Sequence, residues 1–213
     1  MAFRGWSSEA LEFYEGLEVD NSRAYWTAHK TVYDEKVRAP MEELVAELEP
    51  TFGDSKIFRP NRDVRFSADK SPYKTSIAAV IGDCYVELSA GGLAAGLGMW
   101  RMAPDQLERY RRAVADDSTG GSLQQLVTEL IKQRIEVGGH ETIKTVPRGY
   151  PRDHPRADLL RNKGLVAFKQ WPPARWLGTA APKKRIEEFR MTARPLDEWL
   201  ASNVGPSTME SAH

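Results

Sequence analysis

In the first third of the chain the apolar positions recur at helical spacing. Ala10, Phe13, Tyr14 and Leu17 fall on one face of a helix that Ser7 or Ser8 can cap. Val19-Asp20-Asn21-Ser22 interrupts the pattern and offers new caps. The next helix puts Tyr25, Trp26, His29, Val32, Tyr33 and Val37 on one side. Pro40 suits the first turn of a third helix, whose apolar face is Met41, Leu44, Val45 and Leu48. Pro50 and Gly53 close this helical part.

From Lys56 the period drops to two. Lys56–Phe58 and Arg62–Phe66 read as short strands, the second with Arg62, Val64 and Phe66 on one side and Asp63, Arg65 and Ser67 on the other. Ser71-Pro72 marks a loop. Ser76–Ile81 is an almost continuous apolar strand, Gly82-Asp83 a hairpin turn, and Cys84–Ser89 an alternating strand. Gly91-Gly92 turns the chain into Leu93–Met102, where Gly96 and Gly98 share a face that another backbone can approach closely.

Beyond Pro104 the helical period returns. Leu107, Tyr110, Arg111 and Val114 mark one helix. Gly120-Gly121 reads as a break, and Ser122 as the cap of a helix bearing Leu123, Leu126, Val127, Leu130 and Ile131. Glu141–Val146 fits a short strand or an extended loop. Pro155–Asn162 fits a short helix, Leu165–Trp171 a strand, and Ala181–Met191 and Pro195–Asn203 two final helices. The expected fold is therefore α+β. It has N-terminal helices, a mostly antiparallel sheet of about five or six strands, and C-terminal helices packed on the sheet. Residues 1–204 read as one such domain and residues 205–213 as a disordered tail.

Composition narrows the function classes. The chain has 213 residues, 41% of them hydrophobic, which suffices for a sizeable core. Formal net charge is zero, so no global electrostatic argument favours nucleic acid. Nothing approaches the ~20 apolar residues of a membrane span. Cys84 is the single cysteine, which precludes an internal disulfide and suits a cytoplasmic protein. With no HExxH and no paired cysteines, the sequence suggests no metal, and it names no cofactor.

The charge is unevenly distributed. Residues 1–50 carry a net −6, whereas Lys56–Lys74 holds six cations against Asp63 and Asp69. Within that stretch Arg62, Asp63, Arg65, Asp69, Lys70, Tyr73 and Lys74 form the candidate site. Arginine offers a planar donor fork to a carboxylate or phosphate, lysine a mobile point charge, and tyrosine a hydroxyl with a stacking surface. In this reading Arg65 and Lys74 hold an anionic small molecule and Asp63 orients Arg65. His154 and Arg161 are possible second contributors. His154 reads either as an acid or base near neutral pH or as a helix-start residue. The competing reading is an ion-pair network that fastens a long loop, within a protein-interaction module that has no chemistry of its own. Phosphate contact to a nucleic acid is a third option, against which the neutral net charge argues.

Other features have plainer readings. His29, beside Trp26 and Tyr33, reads as a buried core histidine, and His140 as a loop residue. Cys84 reads as a small buried residue. Trp100, Trp171 and Trp176 read as core filling or as the mouth of a pocket. Gly91–Gly98 lies among antiparallel strands and lacks the spacing of a dinucleotide loop.

Arg62-Asp63-Val64-Arg65-Phe66-Ser67 followed by Asp69-Lys70-Ser71-Pro72-Tyr73-Lys74-Thr75 resembles the signature of the domain of unknown function 2461 family, a group of mainly bacterial conserved hypothetical proteins. Leu17–Trp26 with Asn21, Pro147-Arg148-Gly149-Tyr150 with His154-Pro155, and Leu159-Leu160-Arg161 are similar to that family's pattern too. The resemblance covers most of residues 6–200. It implies a single α+β domain and brings no reaction, cofactor or substrate.

Overall fold

The computed structural model describes residues 2–65 and 69–209. Six strands, β1 (Ser55–Ile57), β2 (Ser76–Ile81), β3 (Cys84–Ser89), β4 (Gly92–Met99), β5 (Glu136–Gly138) and β6 (Leu165–Trp171), form an antiparallel sheet in the order β1-β2-β3-β4-β6-β5. The helices are α1 (Ser8–Val19), α2 (Arg23–Val32), α3 (Ala39–Phe52), α4 (Pro104–Ala115), α5 (Asp117–Lys132), α6 (Ala157–Leu160) and α7 (Ala181–Asn203). The architecture is α+β, as the change of period predicts. The chain condenses into two compact units, one of residues 1–95 with 170–189, the other of residues 96–169 with 190–213.

In the first unit, α1 and α2 meet at a tight corner. Ser22 accepts the Tyr25 N–H at 3.1 Å, and the Tyr25 hydroxyl donates to Phe13 O at 2.9 Å. Gly16 makes room for that hydroxyl, because a Cβ there would lie 2.1 Å from it. The expected break before Pro40 does not occur. The helical path runs on from Arg23 to Phe52 through a π segment, Tyr33–Arg38, whose flanking residues Val32 and Ala39 both keep α dihedrals. Pro40 has no N–H to donate, so the helical ladder lacks one bond there. Val37 O, in this stretch, receives the Trp6 indole N–H at 3.1 Å.

Helix α3 packs on β2. The inward face of β2 and β3 carries Ile77, Ala79, Ile81, Val86 and Leu88, and α1 and α3 contribute Phe13, Leu17, Leu44 and Leu48, all essentially buried. Each such large side chain contributes about 1.5–3 kcal/mol of transfer free energy. Tyr14 sits in this core with its hydroxyl buried and, among the described residues, without a hydrogen-bond partner. An unsatisfied buried hydroxyl is a net cost. Tyr14→Phe is therefore expected to raise the unfolding free energy by about 1 kcal/mol, read as a higher urea midpoint at unchanged m. A lower midpoint would show that the hydroxyl has a partner.

In the second unit, α5 differs from expectation. Gly120-Gly121 lies inside the helix, because Asp116 caps it by accepting from Ser118 N and Thr119 N at 3.0 and 2.9 Å. Gly120 is required by close approach, since a Cβ there would stand 2.1 Å from Val114 O at the end of α4. Glu141–Val146 forms no strand, although Thr142 bridges Asn162. The short edge strand β5 precedes it, paired with β6. The close approach expected at Gly96 and Gly98 is found at Gly98, where φ is +128° and a Cβ would meet Leu165 O at 2.4 Å; Gly96 has ordinary contacts.

The two expected C-terminal helices are one, α7, with Pro195 inside it. Ile186, Phe189, Ala193, Leu196 and Leu200 are buried at helical spacing, so the apolar stripe continues past the proline. Beyond it, Ser207 and Thr208 donate to the Asp105 carboxylate, and Arg109 donates to Val204 O and Pro206 O. Residues 210–213 of the expected tail lie outside the described residues.

Candidate functional site

The Arg59–Thr75 segment belongs to the first unit. It is a closed loop, and the strand expected at Arg62–Phe66 is absent over its described part. Phe66 and Ser67 lie outside the described residues. Arg62 N donates to Pro72 O at 2.9 Å and Lys74 N to Pro60 O at 2.8 Å, with Asn61 bridging Tyr73, so the backbone bonds close the loop on itself. Asp63 Oδ1 also accepts from the Arg65 N–H at 3.3 Å, a side-chain bond that competes with a ladder.

Asn21 locks the loop to the α1–α2 corner. Its amide donates to Tyr73 O at 3.0 Å, and its carbonyl accepts from Tyr73 N at 3.0 Å, the two-way bonding of a strand neighbour. Trp26 stacks on the Tyr73 ring, with centroids 4.3 Å apart and planes 8° apart. Tyr73 is therefore a buried anchor.

The loop's charges are partly paired. Asp63 takes the Arg65 fork, Nε at 2.9 Å and the terminal nitrogen at 2.6 Å, and these bonds hold its carboxyl below the usual carboxylate range. Arg62 pairs with Asp69, whose Oδ1 also accepts from Ser71 N at 2.9 Å; the Ser71 bonds are the main reason its carboxyl too lies low. Lys70 donates to Val64 O at 3.0 Å. Such solvent-exposed pairs are worth about 0–1 kcal/mol each.

Lys74 and Arg59 differ. Among the described residues neither has a carboxylate within salt-bridge distance. The Lys74 ammonium lies 5.3 Å from the centre of the Phe58 ring, half-buried. Burial, then the charges of Arg59 and Arg62, push its pKa below that of an ordinary lysine. Arg59, absent from the candidate set read from sequence, is part of this positive focus. The excess of cations over carboxylates was the available signal.

His154 and Arg161 belong to the second unit. His154 Nδ1 accepts the Arg156 N–H at 3.0 Å just before α6, the geometry of a helix-start residue. Arg161 pairs with Asp158 at 2.6 Å and lines a groove of about 480 Å³ with Val127, Ile131, Val137, Arg156 and Asn162. His29 is half-buried, donates to Tyr25 O at 2.8 Å, and stacks on the Tyr25 ring. Cys84 is fully buried. Trp100 does not fill the core. It is 58% exposed just past the end of β4 and stacks on His140 at 4.2 Å. Gly164 packs against the carbonyls of Met99 and Trp100, which leaves the indole outside.

Among the described residues no group of three histidine, cysteine or carboxylate side chains is placed to hold a metal ion, and no helix is long and apolar enough to cross a membrane. A family described as conserved hypothetical protein (DUF2461) matches residues 9–199. No curated protein and no solved structure matches the chain.

Proposed function

The chain belongs to this DUF2461 family, and we propose that it binds an anionic small molecule, as a receptor or as an enzyme, at Lys74, Arg59 and Arg62. The observation that supports this is the Lys74 ammonium over Phe58 with the charges of Arg59 and Arg62 acting on it, Lys74 and Arg59 having no carboxylate within salt-bridge distance among the described residues. A half-buried ammonium beside two guanidinium groups is electrostatically unfavourable, and an anion seated there relieves that repulsion. Arg65, whose fork is occupied by Asp63, stands at the rim in this arrangement. Asp63 keeps it oriented and offsets part of its charge.

Isothermal titration with inorganic phosphate and with phosphate- and carboxylate-bearing metabolites tests the reading. Lys74→Ala is expected to weaken binding by roughly 10–100-fold, the worth of a hydrogen bond to a charged group, and Arg65→Ala by much less. The pH dependence has a defined sign. Lys74 is charged below its pKa, so binding is retained at pH values where the ligand is ionised and is lost as pH rises through a pKa lower than the ~10.4 of a free lysine. Equal affinities of wild type and Lys74→Ala would sink the proposal. The Arg62–Asp69 and Arg65–Asp63 pairs favour a second reading, a purely structural network in an interaction module. That reading predicts no titration heat with any anion and a stability loss for Arg62→Ala.

A further inference from the structure

The strand register carries the site beyond Lys74. Ile57 is opposite Ala79, and Phe58 N donates to Ala78 O at 2.9 Å, so Phe58 continues β1 beside Ala78. Ala78 is opposite Glu87 on β3. Directly opposite residues of an antiparallel pair share a face, so Phe58, Ala78 and Glu87 form one row across three strands. Ser76 opposite Ser89 forms the next row, and Val80 opposite Tyr85 the one on the other side. The inward residues Ile77, Ala79, Val86 and Leu88 point the other way into the core. The Phe58–Ala78–Glu87 row therefore lies on the outward face, where Phe58 and Glu87 are half-buried.

The two ends of the row carry opposite charge. At one end the Lys74 ammonium sits over Phe58. At the other, the Glu87 carboxylate receives the Tyr85 hydroxyl and, among the described residues, has no cation within salt-bridge distance. Burial and the Glu87 bond raise the Tyr85 pKa, so the phenol stays a proton donor at neutral pH. A carboxylate accepts about four hydrogen bonds, and Tyr85 supplies one. Between the ends Ala78, 8% exposed, forms the floor of the row. With strands ~4.8 Å apart, the row spans about 10 Å of sheet.

We infer that the ligand of this face is a small zwitterion, with its carboxylate or phosphate at Lys74 and Arg59, its ammonium at Glu87, and its carbon chain lying over Ala78 between them. The Ser76 and Ser89 hydroxyls flank that path and favour a ligand bearing further polar groups. The inference rests on the anion reading at Lys74 and adds the second recognition point.

Titration with 4-aminobutyrate, 6-aminohexanoate and 3-aminopropyl phosphate, each against the same acid without its amine, separates the two. In the wild type the amine is expected to tighten binding by about 10-fold, equivalent to ~1.4 kcal/mol. Glu87→Gln keeps the shape of the side chain. It is expected to erase that preference while leaving the affinity for the amine-free acids unchanged, and Lys74→Ala to weaken both sets. Equal affinity for amine-bearing and amine-free acids in the wild type would overturn the zwitterion inference and leave the anion reading standing. No binding of any probe would overturn both.

Discussion

Arg156→Met is expected to cost about 3 kcal/mol or more, the sum of the carbonyl hydrogen bonds it removes, and more than any other single change at a charged residue of this protein. The residue is 8% exposed, and its guanidinium is bonded through Nε and one terminal nitrogen. Its Nε donates to Val114 O at 2.7 Å, and one terminal nitrogen reaches Ala115 O at 3.0 Å, Asp116 O at 3.2 Å and Asp117 Oδ1 at 3.0 Å. Val114 O and Ala115 O are orphan acceptors at the end of α4, where a cation also meets the negative end of the helix dipole, whereas Asp116 O accepts from Gly120 N at 2.9 Å as well. Asp117 opens α5, so one side chain ties the end of one helix to the start of the next. Methionine fills similar volume and donates nothing, leaving Val114 O and Ala115 O without that donor, while Asp117 is exposed to solvent. Arg156→Lys supplies a charge without the planar fork and is expected to recover only part of the loss. Trp199, whose indole N–H donates to Thr119 O at 3.0 Å, is a nearby fluorescence reporter. Urea unfolding followed at tryptophan, with hydrogen exchange at the Gly120 amide, measures the effect. A loss below ~1 kcal/mol would mean that water replaces the guanidinium at little cost.

Arg156 also shows where sequence reading stops. In the sequence it is one of several arginines in a turn-rich stretch, and nothing local marks it as buried. Its partners lie some forty residues earlier, at the end of α4. Gly120-Gly121 has the same character: a glycine pair reads as a helix break unless the neighbouring carbonyl that it makes room for is known. Pro40 and Pro195 likewise look like helix starts. Both lie within continuous helical paths, because apolar stripes on either side stay in phase across them. Where the signal is local, sequence and structure coincide. The bounds of β2, β3 and β6 follow from alternation or apolar runs between glycines and prolines, and α4 begins at its proline.

The candidate site divides along the same line. The concentration of cations in Arg59–Lys74 is visible in composition alone, and so is the possibility that Asp63 pairs with Arg65. Which cations keep no carboxylate depends on the loop closing through Pro60 and Pro72 and on Asp69 turning to Ser71 and Arg62. Glu87 gave no sign in the sequence beyond its polar position on an alternating strand. Its relation to Lys74 exists only through the β1–β2–β3 register.

Asn21→Ala is expected to be the second most damaging change, at about 2–3 kcal/mol, and to carry a functional consequence that Arg156→Met does not. Asn21 sits between α1 and α2, at a corner held by the Ser22 cap, the Tyr25–Phe13 bond and the room that Gly16 provides. From there its amide satisfies both backbone groups of Tyr73, which are otherwise without a strand neighbour on that side. Removing it leaves one donor and one acceptor part-buried and unpaired, each worth about 1 kcal/mol or more. Trp26 still stacks on Tyr73, so the loop is loosened without being released. Asn21→Asp keeps the acceptor for Tyr73 N and loses the donor to Tyr73 O, and is expected to fall between wild type and Asn21→Ala. The sensitive measurement is hydrogen exchange at the Tyr73 amide, which should speed up by roughly 30–150-fold if local opening follows the same free energy. Because Lys74 is the next residue, anion affinity should fall with it, whereas Tyr14→Phe, in the core of the same unit, should leave affinity unchanged. A Tyr73 amide as protected in Asn21→Ala as in the wild type would show that Trp26 alone holds the loop.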